Sequence, residues 1–462
     1  MDTDRWEAYL IANADRFIAE LEDFLRIESI SSLPAHREAV DQAARWVAAR
    51  LERAGVENTR VLPTGGHPVV YGDWLHAPGK PTLMVYGHFD TQPVDPLDLW
   101  TSPPFEPEIR DERIYARGAS DDKGNLLIPI LAVEALLSTR GDLPLNLKFL
   151  FEGQEEIGSP QLPAFIADQR QRLACDLVVS ADGGQWAEGQ PALHTSLRGL
   201  CALEATVTGA RRDLHSGSYG GAILNPIQAL CELLAGLHDE QGRVTVDGFY
   251  DDVRPLDEAA AARMRSIPFD AEGYMAGIGV GALYGEEGFT TYQRLWTRPT
   301  LEINGIWGGF QGEGTKTVLP SQAHAKLTCR LVADQDPGKT CRLVEAHLLK
   351  NVSPAVKLAV KPERSHAWPY QIAPDHPGNQ AAAAVHREIF GREPHIVGMG
   401  GSIPVCGIFL RELKAYTVNF AFGLKDENVH APDEYFRLSS FRRGQRAYVH
   451  LLDELSRRDL CG

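Results

Sequence analysis

The sequence predicts a two-domain α/β protein: a larger domain built on a mainly parallel sheet, interrupted by an inserted α+β domain. Three observations predict it. With 462 residues, 44% of them hydrophobic, the chain is too long for one ordinary core. Short apolar runs alternate with helical stretches over residues 1–192 and again over 377–462, the pattern of strand–helix–strand units on a parallel sheet. Between them, over 193–376, the strands alternate apolar and polar residues, as half-exposed antiparallel strands do.

Each element has a local reason. From Pro34 to Gly55, residues Val40, Ala43, Ala44, Val47 and Leu51 recur at helical spacing, and Gly55 is a natural stop. "TLMVYG", "LNLKFLF" and "DLVVSAD" read as buried strands, and "NLLIPILAVEALLS" as a helix between them. A further helix is expected after Ser159 and Pro160, a cap followed by a first-turn proline. In the insertion, "GLCALEATVTG" and "HAKLTCRLVA" alternate like strands, while "ILNPIQALCELLAGLH" and Thr340–Leu349 are helical. Residues 246–300 are glycine-rich and carry no assignable pattern. After His376 come the helix "NQAAAAVHREIFG", the strand "AYTVNFAFG" and a closing helix from Ser439. There is no internal repeat and no low-complexity tract.

Bulk properties exclude several function classes. A formal charge of -16 with no Lys/Arg block argues against a nucleic-acid partner, which needs a concentrated basic face. Seven cysteines without a CxxC pair fit neither a disulfide framework nor a zinc knuckle, and read as reduced, mostly buried thiols. The acidic, amphipathic N-terminus lacks the form of a signal peptide, and no window holds the roughly 18 apolar residues of a membrane span. The expected location is the cytoplasm.

The chemistry gathers where the apolar runs end. "VYGHFD" delivers His88 and Asp90, "RGASDDKG" Asp121 and Asp122, "FEGQEE" Glu155 and Glu156, "SADGG" Asp182, and "ENVHAPDE" His430. Singly, each has an innocent reading: a surface or core histidine, a helix entry at "SDDKG", a solvated turn at "QEE". Their conjunction does not, because strands of a parallel sheet end on one edge and bring distant residues together there. At least five carboxylates and two imidazoles in one hollow require cations. A donor set of histidine and carboxylate without thiolate suits two divalent ions, zinc first and manganese as the alternative, about 3.5–4 Å apart. One member of the glutamate pair can then ligate while the other stays free. Glu156 is the expected ligand and Glu155 the base that takes a proton from the attacking water and passes it to the leaving amine. "GIGVGALYG" and "GGFQGEG" read as loops, His194 and His324 as structural, and no GxSxG elbow supports a serine nucleophile.

The ordered motifs "GHFDTQPV", "RGASDDKG", "FEGQEEIGS", "ADGG", "RDLHSGSYGG", "KTVLP", "CRLV" and "GGSIP" resemble those of carnosinases and cytosolic non-specific dipeptidases. These form a branch of the two-metal aminoacylase, carboxypeptidase and dipeptidase superfamily. The resemblance covers nearly the whole chain and implies a phosphorylase/hydrolase-like catalytic domain of zinc-peptidase type. It also implies that His88 and Asp182 hold one ion, Glu156 and His430 the other, and that Asp121 bridges them. Asp90 would orient His88 by accepting its second ring N–H, and the Asp121–Asp122 bond would be cis. The inserted domain would be a lid that forms a homodimer, with His215 reaching the partner's site to stabilise the oxyanion. Thr317, Arg330, His366, Gly401 and Ser402 would hold the substrate, Arg330 pairing with its C-terminal carboxylate. Around His430 the sequence departs from the superfamily's His-x-x-Asn-Glu by carrying Asp433, and the role of Glu434 stays open. Asp182, where deacylases and carboxypeptidases commonly carry glutamate, favours the peptidase branch. The implied function is hydrolysis of dipeptides with a free C-terminal carboxylate. The alternatives are an N-acyl amino acid deacylase, a glutamate-type carboxypeptidase, or an inactive scaffold, which would have no physical reason to keep Asp90 and Glu155.

Overall fold

A computed structural model describes residues 3–363 and 366–460. The chain divides into two units, Met1–Thr195 with Ile372–Ile396 and Ile408–Gly462, and Ser196–Gln371 with Val397–Gly407.

The first unit is organised by a six-stranded sheet in the spatial order Glu57–Leu62, Val69–Trp74, Asn146–Glu152, Thr82–His88, Leu177–Ser180, Tyr416–Asn419. The last four run parallel, and the first two close one edge antiparallel. Nearly every residue of the inner strands is buried, as expected of a parallel sheet covered on both faces. His88 is opposite Glu152, and Tyr86 opposite Ser180, so two strands finish level and the third stops two residues short of them at the same edge.

Helix Gly124–Arg140 is buried from Gly124 to Leu136 and packs against helices Thr3–Ala12 and Leu438–Leu455. Its one buried acid, Glu134, is matched: Arg50, wholly buried, donates to Glu134 and, over 2.7 Å, to Glu20. This ion cluster ties helices Ala14–Leu25, Arg37–Arg53 and Gly124–Arg140, and removing one member costs about 3–5 kcal/mol.

The sequence places a cap at Ser159, but the helix there begins at Leu162, with a proline in its first turn. Ser159 instead has a left-handed φ of 50° and donates its hydroxyl to the buried Glu152 over 2.9 Å. A buried carboxylate needs a donor more than a short surface helix needs a cap.

The second unit holds a four-stranded antiparallel sheet in the order Thr300–Gly308, Gln322–Leu331, Gly199–Thr208, Lys357–Pro362. Alternate residues of Gly199–Thr208 are buried under helices Pro226–Ala235 and Pro337–Asn351. Asn225 and Asp336 cap those helices, each followed by proline in the first turn. Cys201, Cys329 and Cys341 belong to this core, as the reading of buried thiols requires. Residues 246–300 contain three short helices, Glu258–Ser266, Ala271–Ile278 and Thr291–Thr297, capped by Asp257, Asp270 and Thr290. The insertion begins and ends side by side, Ser196 pairing with Gln371 and Leu197 with Tyr370. Among the described residues no helix is long and apolar enough to cross a membrane.

Candidate metal centre

His88, the last residue of its strand, places Nε2 3.0 Å from Asp121 Oδ1. The other oxygen of Asp121 lies 3.1 Å from His430 Nε2, which in turn is 3.2 Å from Glu156 Oε2. Asp182, two residues beyond the end of its own strand, completes the set. Two triads result, His88–Asp121–Asp182 and Asp121–Glu156–His430, in each of which the potential ligand atoms lie within 4.8 Å of one another. Asp121 is common to both. Glu155 belongs to neither triad.

The electrostatics are those of a hollow with too much negative charge. Burial pushes Asp182 up to about 7, with Asp121 and Glu156 adding to the effect against His88. Burial also raises Glu155 well above the carboxylate range, and Asp182, Glu156 and Asp121 push it further. Glu156 is raised, chiefly by burial. Asp121 moves the other way, because its contacts to His430 and His88 outweigh its burial. His430 is lifted to about 10 by Asp121 and Glu156, and His88 rises well above its ordinary value because Asp121 and Asp90 overcome its burial. Both shifts favour the charged imidazole beside these carboxylates. Two nitrogen and several oxygen donors without thiolate, converging on an aspartate common to both triads, fit a pair of divalent cations.

The supporting shell explains why these side chains meet. The carboxylate of Asp90 accepts the backbone N–H of Glu155 and of Glu156, both over 3.1 Å, and so fixes the loop that carries the pair. Its Oδ1 stands 3.5 Å from His88 Nδ1, whereas the backbone carbonyl of Asp90 is nearer, at 3.1 Å. The Asp121–Asp122 bond is cis, and Asp122 Oδ2 accepts the N–H of His88 over 3.1 Å. Gly118 has a φ of 82°, and a Cβ there would meet the Thr91 side chain at 2.6 Å, so the turn into Asp121 needs glycine.

Two residues that sequence reasoning missed or left open complete this shell. Gln92 donates to Glu156 Oε2 over 2.9 Å. Glu434, 1% exposed, accepts from Arg117 Nη1 at 2.8 Å and from the backbone N–H groups of Gly118, Ser120 and Asp121 at 3.0–3.1 Å. The carboxylate next to the divergent Asp433 therefore cradles the loop of the shared aspartate. Asp433 itself accepts from Thr101, through the backbone N–H at 2.8 Å and the hydroxyl at 2.6 Å.

The remaining candidate residues lie in the second unit. His215 ends a two-residue strand paired with Val318–Leu319, and Thr317 accepts the N–H of Ser216 over 3.0 Å, so His215 and Thr317 are neighbours. Both are exposed. His215 Nδ1 accepts the N–H of Gly217 over 3.0 Å, which leaves the neutral ring's proton on Nε2, as a donor. Arg330 donates to Ser402 Oγ over 3.1 Å, and Gly401 accepts the N–H of Arg198 over 3.1 Å, forming a second group. His366 is exposed, edge-on to Trp368 at 6.1 Å. His194 and His324 bond Gly184 and Thr206, as structural residues do.

Comparison with known proteins adds an independent line. The family model described as peptidase family M20/M25/M40 matches residues 84–454. A Cys-Gly metallodipeptidase of Schizosaccharomyces pombe is 30% identical, covering 99% of each chain. Among solved structures, an M20 family metallo-carboxypeptidase from Sulfolobus solfataricus superposes with a TM-score of 0.84 at 32% identity, covering 95% of this chain and 99% of that one. Human carnosine dipeptidase 1 gives 0.80 at 29% identity, covering 99% of each chain.

Proposed function

The chain belongs to peptidase family M20/M25/M40, and from that premise we propose that it is a dipeptidase acting on substrates with a free C-terminal carboxylate. The observation that carries the reading is the pair of triads sharing Asp121, with the unligated Glu155 beside them. His88 and Asp182 would hold one divalent ion, Glu156 and His430 the other, and Asp121 both. When bound, zinc, or manganese in its place, supplies Lewis acidity toward the scissile carbonyl and makes water acidic enough to deprotonate near neutral pH.

The rest of the work falls to side chains. Glu155 takes the proton of the attacking water on its carboxylate and releases it to the amine nitrogen as the C–N bond breaks. Asp90 keeps that base in place through the backbone N–H groups of residues 155 and 156. The Nε2–H of His215, contributed by the partner subunit of a homodimer formed through the second unit, donates to the oxyanion. Arg330 receives the substrate's C-terminal carboxylate in a forked, charge-assisted contact, with Thr317, Ser402, Gly401 and His366 lining the same substrate.

Similarity to a metallo-carboxypeptidase favours one second reading, removal of a C-terminal residue from longer or acylated substrates. Metal analysis of the purified protein with a hydrolysis panel decides between them. Dipeptides cleaved well ahead of tripeptides and acyl amino acids is the expected result, and a preference for acyl amino acids or longer peptides would replace the dipeptidase reading with the second one. Equal cleavage of C-terminally amidated dipeptides would remove the role given to Arg330.

A further inference from the structure

Beside Arg330 lies a second guanidinium that the sequence does not single out. Arg198 is 8% exposed, and its Nε donates to the carbonyl of Gly400 over 2.9 Å. Its backbone carbonyl accepts from Ser402 Oγ, the same hydroxyl that accepts from Arg330 Nη1. Ser402 thus ties the guanidinium of Arg330 to the backbone of Arg198. The two arginines stand on neighbouring chain segments, since Arg330 pairs in register with Leu200. Nη1 of Arg198 is buried without a hydrogen-bond partner. Burial first, and then the charge of Arg330, bring Arg198 down to about 10, while only Glu302, exposed on the adjacent strand, opposes them. A buried guanidinium next to another, with donors left over, is a costly arrangement unless an anion completes it. Gly400 lets the chain pass close by, as a Cβ there would meet Arg198 Nη2 at 3.2 Å.

We propose that the unpartnered guanidinium of Arg198 joins Arg330, held beside it through Ser402 and the Arg198 backbone, in a double-guanidinium seat for the substrate's terminal carboxylate, with Arg198 a determinant of the preference for free acids over amides. The proposal rests on the dipeptidase reading for its ligand. The rival role is a strut that merely holds the loop Gly400–Ser402.

The test is calorimetric titration of the metal-loaded protein with a dipeptide analogue whose amide is replaced by methyleneamine, as free acid and as carboxamide. Wild type is expected to favour the free acid by about tenfold or more, Arg198→Met to reduce that ratio below about threefold, and Arg198→Lys to fall between. A strut would weaken both ligands alike. Retention of the wild-type ratio in the variants, or equal loss for both ligands, overturns the proposal, and Arg198→Lys carries the test if Arg198→Met does not fold. Absence of any acid preference in wild type overturns the seat as a whole. Cleavage of ordinary dipeptides, measured in parallel, decides the dipeptidase reading separately.

Discussion

Glu155 and Glu156 are neighbours in the chain with different surroundings. Glu156 receives a hydrogen bond from Gln92 and faces His430, while Glu155 stands outside both triads. The division of labour proposed for them therefore predicts a clean separation. Glu155→Gln keeps the shape and leaves the ligands untouched, so metal content by elemental analysis is expected to stay at the wild-type level while kcat falls by about a hundredfold or more. Wild-type turnover in that variant would remove Glu155 from the chemistry. This pair was legible in the sequence because adjacent carboxylates at the end of a buried strand demand a counter-charge. Gln92 was not, since a neutral amide makes no such demand and its contact depends on a fold that brings residues 92 and 156 together.

At the scale of an element, the segment from Arg117 to Asp121 shows how a loop is built from a distance. Glu434 accepts four of its donors, one charged and three from the backbone. Both Arg117 and Glu434 are 1% exposed, so replacing the carboxylate leaves a buried guanidinium without its counter-ion. Glu434→Gln is expected to cost about 3 kcal/mol of stability and to loosen Asp121. Thermal melts and metal titration check this, and unchanged melting with unchanged metal affinity would show that the cradle is idle. The strands and long helices could be read from periodicity alone, whereas Glu434 could not, because its partners lie more than 300 positions away. The short helices within 246–300 left a signal that glycine content obscured: Thr290 and Gln293 make a reciprocal capping box, and Asp257 and Asp270 cap the other two. Helices of 7–9 residues present too few turns for an apolar stripe to stand out.

At the scale of the whole molecule, the proposal that His215 acts on the partner's substrate makes the active unit a pair. Strand Thr300–Gly308 is the outer strand of its sheet and leaves Ile303, Ile306 and Trp307 36–51% exposed, an apolar edge suited to a two-fold contact. Complementation tests it. Glu155→Gln and His215→Ala are each expected to be nearly inactive, yet a mixture of the two, unfolded and refolded together, should regain about a quarter of wild-type activity, since half the dimers are mixed and each carries one intact site. No recovery would place His215 in its own subunit's site or outside catalysis. The paired ends of the insertion carry a further consequence. Because Ser196 and Gln371 lie side by side, residues 196–371 hang from the chain as a cassette whose removal leaves a gap about one strand spacing wide. Every member of the two triads is encoded outside that cassette, and His215, Thr317, Arg330 and His366 are encoded within it. Recombination could thus exchange most of the residues proposed to select the substrate while leaving those proposed to cut it in their original frame.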